Sequence, residues 1–151
     1  MKSINVVAAI IIRTSPQGNS QVFATQRGYG DWKGWWEFPG GKIEAGESPE
    51  AALEREIKEE LATQIKVGEC LGTIEYDYPD FHLSMQCFFC QVVSGKLEVL
   101  EHENACWLTA DNLYSVKWLP ADELILDKVG SLLYTVISTR KGGRYDKSVL
   151  L

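Results

Sequence analysis

Basic charge is in short supply in this 151-residue chain: 15 lysines and arginines stand against 21 aspartates and glutamates, a net charge of −6. A nucleic-acid duplex or an anionic membrane needs a basic surface, so neither is an expected partner. Long apolar runs are missing too. The most apolar stretch, residues 6–12, is too short to span a bilayer and lacks a small-residue cleavage site, so it reads as a strand. The four cysteines show no secreted-framework spacing, and a cytoplasmic compartment is expected. Cys87 and Cys90 have CxxC spacing, but in a strand-like segment i and i+3 face opposite sides. Buried thiols are therefore expected there, rather than a zinc or redox pair. There is no repeat and no low-complexity tract, and the length suits one domain with a sizeable core.

What the chain does have is a glycine turn followed by an acid-bearing helix, GGKIEAGESPEAALEREIKEELAT over residues 40–63. Paired glycines at 40 and 41 allow backbone angles that other residues avoid, and they end the short segment WEFP. Ser48 followed by Pro49 is a helix start, with a hydroxyl cap and proline at the first helical position. Glu56, Glu59 and Glu60 then fall at i, i+3 and i+4 and share one helix face. Like charges so close repel, and a divalent cation relieves that; oxygen-rich clusters suit Mg²⁺ or Mn²⁺. Leu53, Ile57 and Leu61 lie on the neighbouring arc and seat the helix on a core.

Around this helix the chain alternates. Residues 5–13 and 21–26 read as strands joined by the turn TSPQGNS, a hairpin that Arg27 closes. A glycine- and tryptophan-rich loop, GYGDWKGWW, leads into the glycine turn. Residues 65–70 and 71–78 read as two strands, 82–93 as the strongest strand of the second half, and 105–108 as a short one. A second helix begins at Ala121 or Asp122 and carries the stripe Leu126, Val129, Leu133 and Val136. The domain is expected over residues 1–138, with a basic, glycine-broken tail over 139–151. This order suggests an α/β fold, a mixed sheet between helices.

Gly41, five residues, Glu47, seven residues, then Arg55-Glu56-Ile57-x-Glu59-Glu60 resembles the Nudix box. Ala62 and Thr63 depart from that pattern, where the family has glycine and an aliphatic residue. With VVAAII, Gln26-Arg27, WEFPGGKIEAGE, EYDYPDFH and Leu119-Pro120-Ala121-Asp122, the chain is similar to the MutT-type branch over roughly residues 4–129. The resemblance implies the Nudix fold, an α/β/α sandwich with a mixed sheet, and hydrolysis of a nucleoside triphosphate to monophosphate and pyrophosphate with Mg²⁺, or Mn²⁺. It implies metal ligands at Glu56, Glu59, Glu60 and the Gly40 carbonyl, with a further carboxylate at Glu101, or failing that Glu103. Arg55 is expected to orient the helix carboxylates and Glu47 to hold the loop. Glu56, Glu59 and Glu101 all stand as candidates for the general base. Arg27 and Lys42 are expected on the phosphates, and Glu37, Phe38, Pro39 and Gly40 in the substrate site. Phe38 and Trp35 or Trp36 are candidates to stack on the base. Asp122 is expected on the base edge, where an ionised carboxylate accepts from amino groups; a plain helix cap is its other reading. The partner is then a small nucleotide, and the protein a monomer or homodimer. Hydrolysis of a dinucleoside polyphosphate or nucleotide sugar, and a non-catalytic nucleotide sensor, are the competing readings.

Overall fold

The computed structural model describes residues 1–98 and 104–141. Strand β1, Lys2–Thr14, turns back into β2, Ser20–Gln26, with Ile12 opposite Val22, which is the hairpin expected from the sequence. Two short strands follow, β3 (Trp36–Glu37) on β2 and β4 (Gly40–Lys42) on β1. Helix α1, Pro49–Leu61, comes next. Strands β5 (Gln64–Tyr78) and β6 (Phe81–Ser94) form a long antiparallel hairpin, and β7 (Asn104–Leu108) pairs with β2. The sheet runs β3-β2-β1-β6-β5 and is mixed, because β1 lies parallel to β6 while its other pairings are antiparallel.

Two departures from the sequence reading have local causes. Residues 65–78 form one strand rather than two, since the bulges between Val67 and Gly72 bend β5 without ending its pairing to β6. The second helix is broken: a short α2, Pro120–Glu123, precedes α3, Leu126–Lys141. Pro120 begins α2 with Leu119 as its cap, so Asp122 lies inside the helix and is not the cap.

Strand β1 is the spine. Alternate side chains go to opposite faces, so Ala8, Ile10 and Ile12 join the core under α3, while Val7, Ala9 and Ile11 join the core under α1. Helix α1 contributes Leu53, Ile57 and Leu61 to its side, all fully buried. Leu126, Val129 and Leu133 of α3 are fully buried on the other. The result is an α/β/α sandwich. Cys87 and Cys90 fall into different cores, as the alternation requires, and burial pushes both thiols up to about 12.

Ser48 caps α1, its hydroxyl accepting from the Ala51 N–H at 3.1 Å. At the other end Ala62 sits in the left-handed region at φ 50°, ψ 38°, with its N–H donating to the Lys58 carbonyl at 3.1 Å. That conformation costs a side-chain-bearing residue about 1 kcal/mol relative to glycine. Ala62→Gly should therefore stabilise the fold by about that amount, seen as a higher urea midpoint with an unchanged slope. A lower midpoint would mean that the Ala62 methyl packs usefully at the helix exit.

Candidate active site

The site begins with a close approach. β4 lies so tightly against β1 that a Cβ on Gly40 would come 1.9 Å from the Val7 carbonyl oxygen. A Cβ on Gly41 would meet the Glu56 carboxyl carbon at 2.3 Å. Only glycine at 40 lets this backbone run so close to β1, while a side chain at 41 would push the Glu56 carboxylate aside. One cleft of about 650 Å³ is consequently lined by Pro39, Gly40 and Lys42 together with Glu56, Glu59 and Glu60, with Arg27 and Glu37 at its far side.

Arg55 ties the acids together. Its Nε and Nη2 donate to the two Glu47 oxygens at 2.7 and 2.9 Å, and Nη1 donates to Glu56 and Glu59 at 2.9 Å each. Nη2 also donates to the Lys42 carbonyl at 3.0 Å, joining helix to glycine loop. Glu47 accepts from the Glu44 N–H at 2.9 Å, so it holds the loop as well. The Arg55 guanidinium, with that backbone bond, lowers the Glu47 carboxyl to about 2; Glu47 in turn, then Glu59 and Glu56, raises Arg55. Both groups are thus charged throughout the working pH range.

This donor set fits a divalent cation in chemistry: carboxylate oxygens gathered on one wall, with the glycine backbone beside them. Among the described residues no three His, Cys, Asp or Glu side chains are drawn to coordinating distance. Arg55 holds one oxygen of both Glu56 and Glu59 against a single nitrogen. Their second oxygens are the ones left to serve a metal. Glu101 and Glu103 lie outside the described residues.

Beyond Arg27 the cleft opens into an inner hollow of about 150 Å³, walled by Val6, Ala8, Phe38, Tyr78, Leu83 and Asp122 among others. Arg27 is held by a two-pronged pair with Glu37, Nε to Oε2 at 3.2 Å and Nη2 to Oε1 at 2.9 Å. Asp122 is only 5% exposed, and its Oδ2 accepts from the Phe38 N–H at 2.9 Å. Burial, then the nearby Glu37 charge, pushes its carboxyl up to about 8. Burial thus favours the protonated form of Asp122, which offers a donor as well as an acceptor, where the sequence reading took the ionised form. Tyr78 stands next to it, its hydroxyl accepting from the Ala121 N–H at 3.1 Å.

The tryptophan loop also differs from expectation. Trp32, not Trp35 or Trp36, lines the inner hollow. Phe38 lies in its wall, tilted on Trp118 with ring centres 4.6 Å apart. Trp32, Tyr78 and Phe81 were not singled out as site residues. The signal for Trp32 was its place between two glycines, Gly30 and Gly34, both with positive φ.

A layered α/β/α fold with a carboxylate-bearing helix beside a base-sized hollow defines a hydrolase of nucleotide anhydrides. Its profile is specific: the NUDIX domain matches residues 4–131, and the chain belongs to the Nudix hydrolase family. The chain is 33% identical over 128 residues to the CTP pyrophosphohydrolase of Escherichia coli K12, spanning 84% of this chain and 91% of that one. It is 35% identical over 106 residues to the 8-oxo-dGTP diphosphatase of Proteus vulgaris, spanning 70% and 89%. Among solved structures it resembles the E. coli ORF135 protein, with 33% identity and a TM-score of 0.70 over 84% of this chain and 88% of that one. It also resembles a MutT Nudix hydrolase from Burkholderia pseudomallei, at 25% identity and TM-score 0.75 over 85% and 99%. Nudix hydrolases generally use a divalent metal and act on small nucleotides. No helix among the described residues is long and apolar enough to cross a membrane.

Proposed function

We propose that the chain is a Mg²⁺-dependent nucleoside triphosphate pyrophosphohydrolase of the cytoplasmic nucleotide pool, releasing monophosphate and pyrophosphate. Its preferred base is 8-oxoguanine or a cytosine, plain or modified. The observation that carries this is the junction at Arg27, where the carboxylate cleft meets a hollow sized for one base ring. Relatives named for CTP and for 8-oxo-dGTP support both base classes. The acidic net charge suits a free nucleotide whose charge is neutralised locally, not a nucleic-acid polymer. A monomer or homodimer suffices, since every proposed site residue is carried by this one chain.

Glu56, Glu59, Glu60 and the Gly40 carbonyl would hold a divalent ion, which would supply charge neutralisation and a water of lowered pKa. The chain's own residues do the rest. Arg55 fixes Glu56 and Glu59 so that their free oxygens face the cleft without reorganising. Lys42 and Arg27 present positive charge to the phosphates, and Glu37 holds Arg27 in place. Glu56, Glu59 and Glu101 are the groups from which the proton acceptor is drawn. Asp122 reads the base edge.

The test is product identity. Incubated with Mg²⁺ and CTP or 8-oxo-dGTP, the protein should release monophosphate and pyrophosphate in equal amounts, and EDTA should abolish turnover. Orthophosphate with accumulating diphosphate, or turnover that survives chelation, would overturn the reading.

A further inference from the structure

The inner hollow does not end at its aromatic wall. Arg27, Trp32, Tyr78 and Phe81 line it on one side, and the same four residues line a second, outer hollow of about 470 Å³. The remaining lining of the outer hollow is Asp31, Trp35, Pro79 and Asp80. Asp122 belongs to the inner hollow alone, so the outer one opens away from the base edge that Asp122 reads. The sizes are unequal in an informative way. About 150 Å³ holds a base ring and little else, whereas about 470 Å³ lies within the usual range of small-molecule sites.

The partition is built rather than loose. Trp32 stands edge-on to Trp35 at 4.7 Å and to Tyr78 at 5.6 Å, and Tyr78 stacks on Phe81 at 5.2 Å. The loop's base is tied by Arg27 N–H to the Trp35 carbonyl and Gly34 N–H to the Arg27 carbonyl, both 2.8 Å. Lys117 sits 4.1 Å from the Trp35 ring centre and fixes that ring, so the Trp35 face it covers is already taken and an incoming amine must be drawn by the two acids. Aromatic faces with two acids, Asp31 and Asp80, favour a group that is apolar along its stem and positively charged at its tip. The Arg27 guanidinium also lines this hollow; its pair with Glu37 weakens its repulsion of an amine without cancelling the charge it offers the phosphates.

We propose that the outer hollow is a subsite for an amine-bearing substituent on the base, so that the protein takes base-adducted nucleotides in preference to their parents. The substituent leaves the base at C8 of a guanine, across the ring system from N1 and N2, or at C5 of a cytosine, beside the amino group, and passes Trp32. This rests on the nucleotide pyrophosphohydrolase reading above.

The experiment compares matched pairs of non-hydrolysable α,β-methylene analogues, CTP with C5-aminoallyl-CTP and GTP with its C8-aminoalkyl counterpart. Affinity is measured by calorimetry with Mg²⁺ on wild type, Trp35→Ala and Asp80→Lys, alongside turnover of CTP and 8-oxo-dGTP. In at least one pair the substituted analogue should bind about fivefold or more tighter than its parent, and both variants should cut that ratio to below about twofold. Asp80 is exposed at the β5–β6 turn, so its variant keeps the comparison sound even where Trp35→Ala disturbs the loop. If turnover is normal but both substituted analogues bind no better than their parents, or the ratio survives in Asp80→Lys, the subsite is refuted and the catalytic reading stands. If neither parents nor substituted analogues bind and no nucleotide is turned over, the catalytic reading fails and the subsite with it.

Discussion

Glu56→Gln and Glu59→Gln should each lower kcat by about a hundredfold or more while the protein stays folded. Removing one carboxylate charge from a metal-holding wall forfeits a few kcal/mol of transition-state stabilisation. The folding cost is small by comparison. Both side chains pair with Arg55 near the surface, and such pairs contribute at most about 1 kcal/mol; Arg55 keeps its two-pronged contact to Glu47 in either variant. Gly41→Ala should damage the same site from the other side, because its methyl group collides with the Glu56 carboxylate. Steady-state kinetics and circular dichroism on the same preparations separate the two effects. Near-normal turnover in folded variants would remove Glu56 and Glu59 from the metal site.

Asp122 carries the second large effect, and it depends on pH. Below about pH 4 its carboxyl is protonated in both folded and unfolded chains. Between there and about 8 the folded protein keeps a proton that the unfolded chain has lost, so this group makes stability fall as pH rises. By linkage the full penalty above pH 8 reaches roughly 6 kcal/mol, an upper bound that local relaxation reduces. Asp122→Asn escapes it and can still accept from the Phe38 N–H. The variant should therefore melt at nearly the wild-type temperature at pH 4 and well above it at pH 9. Function should follow the same titration. At pH 7 the protonated wild type already donates, so Asp122→Asn should change base preference little. At pH 9 the wild type only accepts and should turn towards amino-bearing cytosine, while Asp122→Asn keeps 8-oxo-dGTP. Asp122→Ala leaves base donors unpaired, costing roughly 1–3 kcal/mol for the preferred nucleotide and little for poor ones. Values of kcat/KM for 8-oxo-dGTP, dGTP, dCTP and CTP at both pH values decide it. An equal fall for all four would make Asp122 a strut between α2 and the Phe38 backbone, and nothing more.

What the sequence made legible was local. The Ser48 cap, the proline start, the shared face of Glu56, Glu59 and Glu60, and the i+4 reach of Arg55 to Glu59 all follow from helix geometry, and each is present. So does the opposite facing of Cys87 and Cys90 on one strand. What stayed hidden depends on residues far apart in the chain. Asp122 meets the Phe38 backbone across 84 positions, and nothing in PADE alone says that its carboxyl is buried or that Glu37 lies near it. Residues 65–78 looked like two strands because glycine normally interrupts pairing; the long partner β6 carries the pairing across. Trp32 was one tryptophan among several, and only the folding of its loop against Tyr78 sets it apart from Trp35 and Trp36.

The most direct test of the carboxylate wall is a Mn²⁺ titration followed by electron paramagnetic resonance, with α,β-methylene-CTP present, on wild type, Glu56→Gln and Glu59→Gln. The wild type should bind the ion saturably, and each variant should bind it at least about tenfold more weakly. Equal affinity in all three proteins would contradict the assignment of the metal to this helix face.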